Sequence, residues 1–335
     1  MSIPCEVHEY SFEGLLNLFA SVSRASLQAI ATKLHAVYFQ EYFNCIGAKT
    51  IVVEREYVDR DYLEDYAEYY VRCFQDYPRK CARLHFFKLE FSLEDFEDCL
   101  LNKSGRINFE RLQADYLGFI VLKPLPRTII GRTCLVTYPH EGRRYFAATR
   151  SYAANLFGLS LKVHNSLAFQ EQDSVVAACA TSALWSIFQV TGQIFQHPIP
   201  SPLAITNNAT EILTKDQRAL PSIGLNSIEM AQAIKPVGLE PYAVNTSHHY
   251  HLKATLYAYL RAKIPMMFGF GLFEPSYPQA RFFGKHAVAI TGYSLGHEQS
   301  EPLEGTNFLL IATRIDKIYV HDDQVGPFSR MVFDK

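Results

Sequence analysis

From residue 179 onward the chain places helices first and strands last, and this order constrains the fold more than any other feature of the sequence. The run "CATSALWSIFQVTG" predicts a helix ended by Gly192, and the Pro-rich "HPIPSPLAITNNAT" predicts a loop after it. "NSIEMAQAIKPVG" predicts a second helix, with Asn226 or Ser227 as N-cap and Gly238 as its stop, and "KATLYAYLRAK" a third. Four strand-like runs then follow: "PMMFGF", "HAVAITGY", "NFLLIATR" and "KIYVHDD". Helices followed by consecutive strands argue for a helical layer on an antiparallel sheet, an α+β arrangement rather than a doubly wound α/β one.

The first half has a different texture. Residues from about 11 to 43 carry Leu15, Leu16, Phe19, Leu27, Ile30 and Leu34 at roughly helical spacing. "TIVVEREYV" predicts a strand, "DRDYLEDYAEYYVRCF" a helical stretch and "LHFFKLEF" another strand. "SLEDFEDCLL" predicts a short helix whose Ser92 and Asp95 fit a capping box. "YLGFIVLKPL", "RTCLVTY" and "RRYFAAT" are strand-like. The division expected is an α+β amino-terminal domain over 1–165 and a second domain over 166–335. The tyrosines of "YLEDYAEYY" form a packing face, and the first domain is assigned no chemistry.

Composition narrows the function classes. The apolar fraction of 48% and charged fraction of 20% belong to a folded chain. A net charge of −2 disfavours a general nucleic-acid binder. The start has no signal-peptide pattern and no apolar run approaches membrane-spanning length, so no membrane is expected. Seven scattered cysteines without a C-x-x-C pair suggest neither a zinc ribbon nor a disulfide framework. A reduced, cytoplasmic chain is the expectation. His248, His249 and His251 in "TSHHYHLK" lack a nearby carboxylate or cysteine and are read as a polar loop, so no metal is expected. "GFGLFE" lacks a phosphate-loop spacing, and no cofactor is expected.

One constellation carries chemistry. Cys179 begins a helix, where unpaired backbone N–H groups and the helix dipole favour thiolate. His286 opens the strand "HAVAITGY", and Asp322 and Asp323 close "KIYVHDD", a neighbouring strand by its place in the chain. A thiolate needs a base beside it, and the imidazole needs an acceptor on its other nitrogen. Asp322 is the first choice for that acceptor and Asp323 the alternative; His321 is a bystander. Ser182, one turn into the helix, is expected to bond back to a carbonyl rather than act as nucleophile.

These residues resemble the papain-like cysteine peptidase superfamily, in particular its bacterial branch of leader-peptide (double-glycine) peptidases. Cys179, Ala183 and Leu184 match its C-x-x-x-A-L helix start, His286 to Tyr293 its histidine strand ending in T/V-G-Y, and Val320, His321 and Asp322 echo its V-N-D strand end. "IEMAQAIKPVGLEPYAV" and "LRAKIPMMFGF" resemble its intervening segments, so the resemblance spans about residues 168–330. It implies a papain-like fold, with the nucleophile helix packed on an antiparallel sheet. It also implies an oxyanion-hole glutamine five or six residues before the cysteine. Here Gln172 stands seven before and Gln170 nine before, while Asp173 holds the sixth position and Ala180 replaces a frequent glycine. A one-residue bulge would bring Gln172 into place, with the Cys179 N–H as second donor.

The expectation from these readings is a cysteine peptidase acting on a peptide or protein substrate through Cys179, His286, Asp322 and Gln172. The alternatives are an acyl or peptidyl transferase with the same residues and an inactive binding module on the same fold.

Overall fold

The computed structural model describes residues 5–173, 175–176, 178–211, 224–274, 281–303 and 305–333. It is a mixed α/β chain, 35% helix and 31% strand, with antiparallel sheets. Two compact units divide it. Met1–Tyr138, Arg150–Glu171 and Gln324–Gly326 form the first; Pro139–Thr149, Gln172–Asp323 and Pro327–Lys335 form the second.

In the first unit β1 (Cys5–Glu9) leads into three helices, α1 (Phe12–Ser23), α2 (Leu27–Ala31) and α3 (Leu34–Ile46), where the spacing predicts one. The breaks have local causes. Arg24 takes a left-handed φ of 61° as the C-cap of α1, the Ser26 hydroxyl accepts the Ala29 N–H to start α2, and Lys33 is extended before α3. The chain continues through β2 (Thr50–Tyr57), α4 (Arg60–Glu68), β3 (Cys81–Phe87), α5 (Leu93–Leu100), α6 (Phe109–Ala114), β4 (Tyr116–Leu122) and β5 (Ile130–Leu135). The Ser92–Asp95 capping box opens α5 as the sequence predicts. The five strands lie side by side in chain order, β1-β2-β3-β4-β5. Every residue of β3 and β4 is buried, which is why both read as continuous apolar runs rather than alternating ones. After β6 (Arg144–Tyr145), which belongs to the second unit, β7 (Arg150–Leu156) and β8 (Leu159–Ser166) form a hairpin with alternating burial.

The second unit holds α7 (Cys179–Phe195), α8 (Pro202–Ala209), α9 (Ser227–Ile234), α10 (His249–Arg261), β9 (Met266–Glu274) and β10 (Arg281–Leu295). The short pair β11 (Glu301–Pro302) and β12 (Leu309–Leu310) follows, then β13 (Ile315–Asp322) and β14 (Gly326–Val332). Its sheet runs β14-β13-β10-β6, with β9 also paired to β10. The central strand β10 is covered by helices through its alternating side chains. Ala289 packs with Ala183 and Ile187 of α7, while Val288 and Ile290 pack with Leu252, Leu256 and Leu260 of α10. A register shift between Ile290 and Gly292 brings Tyr293 into the α10 cluster. At Gly292 a Cβ would lie 2.5 Å from the Tyr145 carbonyl oxygen, so β6 can approach only a glycine there.

Several elements differ from the sequence expectation. Helix α7 continues past Gly192, whose missing side chain admits Ile199: a Cβ there would meet its Cγ1 at 2.8 Å. The Pro-rich segment contains α8, with Ser201 as N-cap and Pro202 at its first position. The run "NFLLIATR" becomes β12 followed by a 3₁₀ turn, Ile311–Arg314. His249 and His251 lie inside α10 rather than in a loop before it. Helix α9 starts where predicted, with Asn226 and Glu229 in a capping box and a left-handed Gly238 beyond the following 3₁₀ turn. Among the described residues no helix is long and apolar enough to cross a membrane.

Candidate active site

Cys179 is the first residue of α7 and is half-buried. Ala178 before it is extended and supplies no side-chain cap, so the N–H groups of the first turn are not taken by a capping side chain. The other thiols stand in different surroundings. Burial pushes Cys134 up to about 12 and raises Cys5, Cys81 and Cys99 as well, which keeps these four protonated and inert.

His286 is 5% exposed and is the sixth residue of β10 rather than the opening of the strand. The residues before it extend the pairing with β9, from Arg281 opposite Glu274 to His286 opposite Phe270. That cross-strand partner presents its ring edge-on to the imidazole, with centroids 5.6 Å apart at 88°. Sequence reasoning missed Phe270; the apolar runs on either side of residues 275–280 held the signal, but not the register.

The imidazole Nε2 lies 3.0 Å from Asp322 Oδ1, in a hydrogen bond, and 3.8 Å from Asp323 Oδ1. The Cys179 thiol also acts on the ring, favouring its charged form. Burial disfavours a charge on His286. The hydrogen bonds to Asp322 and Cys179 and the negative charges of Asp322 and Asp323 outweigh it, and the ring is raised to about 10. At neutral pH His286 is therefore an imidazolium that faces the Asp322 and Asp323 carboxylates.

The structure thus brings Cys179, His286, Asp322 and Asp323 together. His321, between the two strands' site residues in sequence, does something else. Its Nδ1 accepts the Phe328 N–H at 3.1 Å, and its ring meets the Phe328 ring edge-on. A backbone N–H can only donate, so His321 is fixed as the Nε2–H tautomer and serves the β13–β14 turn.

Gln172 is half-buried and makes no side-chain hydrogen bond among the described residues. Asp173, six residues before Cys179, is 2% exposed and accepts the Val175 N–H at 2.9 Å, tying the loop before the helix. The Cys179 N–H, at the helix start, has no intrahelical acceptor. Ser182 departs from expectation: its hydroxyl is buried and has no hydrogen-bond partner among the described residues, so it does not bond back to a carbonyl.

The ligating atoms of His286, Asp322 and Asp323 lie within 4.8 Å of one another and could hold a divalent cation. Comparison of the chain with family models, curated proteins and solved structures finds no match in any of the three.

Proposed function

We propose that this chain is a thiol hydrolase of peptide bonds with a papain-like arrangement of its second unit. The observation that carries the proposal is the His286 imidazole hydrogen-bonded to the Asp322 carboxylate, with the helix-opening Cys179 among the groups that favour its charged form. Cys179 passes its proton to His286 and attacks the peptide carbonyl as the thiolate, and its backbone N–H stabilises the oxyanion that forms. His286 gives its proton to the leaving amine, then takes one from the water that hydrolyses the thioester. Asp322 fixes the ring through Nε2, and Asp323 adds a second negative charge that favours imidazolium. Helix α7 on one face of an antiparallel sheet, with base and acid on neighbouring strands, supports the papain-like reading.

The test is a peptide library incubated with the protein and read by mass spectrometry for new amino termini. Cleavage abolished by Cys179→Ala and by His286→Ala supports the proposal; cleavage that survives Cys179→Ala overturns it. Adding a free amine separates hydrolysis from peptidyl transfer, which would appear as amine-capped products. The displaced position of Gln172, seven residues before Cys179, favours a second reading, a binding module without turnover. Under that reading no peptide is cleaved and Cys179 alkylates no faster than an ordinary thiol.

A further inference from the structure

A cavity of about 450 Å³ opens in the second unit, within the size range of ligand pockets. Leu184 and Ile187 of α7, Leu252 and Leu256 of α10, and Met267 and Gly269 of β9 line it, and the segment 239–246 closes its far wall. Among the described lining residues Glu240 is the one that carries a formal charge, and it is exposed. The walls are mainly apolar, with the hydroxyl groups of Thr191, Thr246, Thr255, Tyr242 and Tyr259 among them. Among the described residues β9 pairs with β10 alone, so its outer edge turns unpaired backbone N–H and C=O groups toward this space. The edge is straddled by apolar side chains on both faces: Met267 packs with the α7 cluster, Met266 and Phe268 with the α10 cluster.

An aliphatic chain would fill such a volume yet leave the strand edge desolvated and unpaired, which is costly. An extended peptide supplies both apolar side chains and a backbone partner. The edge also leads toward the thiol. Met266–Gly269 is followed directly by Phe270, whose ring abuts His286, and Leu184 lies five residues along α7 from Cys179, about 7.5 Å of helix rise. The segment 239–246 makes no backbone–backbone hydrogen bond among the described residues, so admitting a strand breaks no ladder there.

We infer that an extended segment of apolar residues docks as an added strand on the free edge of β9, with alternate side chains directed to the α7 and α10 walls of the cavity. This rests on the peptidase reading and names its substrate class: peptides with a run of consecutive apolar residues beside the scissile bond.

The test uses the full chain carrying Cys179→Ala, so that binding is measured without chemistry. The probe is fluorescein-labelled Ser-Ser-Leu-Val-Leu-Val-Ser-Ser amide, followed by anisotropy, with hydrogen exchange locating the site. Binding should protect the amides of 266–274. N-methylation of alternate apolar residues should weaken it by about tenfold or more, as loss of one or two backbone hydrogen bonds does. Gly269→Leu should weaken it similarly. A Cβ at Gly269 meets nothing within 4 Å, so the larger side chain enters the cavity without a clash, and circular dichroism checks that the variant is folded. No binding of the probe, equal binding after N-methylation, or protection elsewhere overturns the inference. Its failure leaves the reactivity of Cys179 untouched; intact binding beside an unreactive wild-type Cys179 removes the peptidase reading and leaves a peptide-docking edge.

Discussion

Asp322→Asn removes the charge nearest His286 and keeps the shape of the side chain. In the wild type the ring is raised to about 10 from an ordinary value near 6.5, equivalent to about 5 kcal/mol of net preference for imidazolium at about 1.36 kcal/mol per pH unit. A hydrogen bond to a charged group contributes roughly 1.5–3 kcal/mol. The substitution should therefore lower the titration of His286 by about one to two pH units, with Asp323 retaining part of the field. Histidine NMR measures this directly, the His286 resonance being assigned by its loss in His286→Ala. The stability consequence has a definite sign. A raised folded-state value stabilises the fold fully below about pH 6.5, and that contribution is lost as pH rises through about 10. The stability deficit of Asp322→Asn should thus be largest near and below neutrality and should vanish in alkali. A His286 ring that titrates near 6.5, or that Asp322→Asn leaves unmoved, would refute the reasoning.

Other substitutions test neighbouring parts of the structure. Removing the His321 acceptor with His321→Leu leaves the Phe328 N–H unpaired and should cost about 1–3 kcal/mol in urea unfolding; unchanged stability would show another acceptor at that N–H. Ser182→Ala removes a buried hydroxyl without a described partner and should be neutral or slightly stabilising, and a loss above about 2 kcal/mol would reveal a bond to it. Gly292→Ala forces a Cβ against the Tyr145 carbonyl and the Phe146 ring and should cost roughly 1–3 kcal/mol, whereas a neutral result would mean that β6 yields easily. Asn226→Ala breaks the α9 capping box for about 1 kcal/mol, read from the same unfolding curves.

What the sequence disclosed was local. The Ser92–Asp95 and Asn226–Glu229 pairs lie three residues apart and make their capping boxes within one turn, so residue type and spacing suffice. The opening of α7 at Cys179 was legible in the same way, from small and apolar residues after a polar stretch. What stayed hidden depends on partners distant in the chain. Gly192 resembles a helix stop, but its role is to admit Ile199 against an unbroken helix. Pro202 resembles a breaker, although proline suits the first turn once Ser201 caps it. In the site, cysteine, histidine and acid were recognisable as types in order. That Asp323 also faces the ring, and that Phe270 stands opposite it, follows from sheet register, which composition along one strand does not encode.

The activated Cys179–His286 pair is tested most directly by the rate of iodoacetamide labelling at Cys179 as a function of pH, in wild type and in His286→Ala. An imidazolium beside the sulfur predicts labelling that stays fast well below the ordinary thiol range near 8.5 and that His286→Ala abolishes. Labelling no faster than that of the exposed Cys45, with the same pH profile in both proteins, would contradict it.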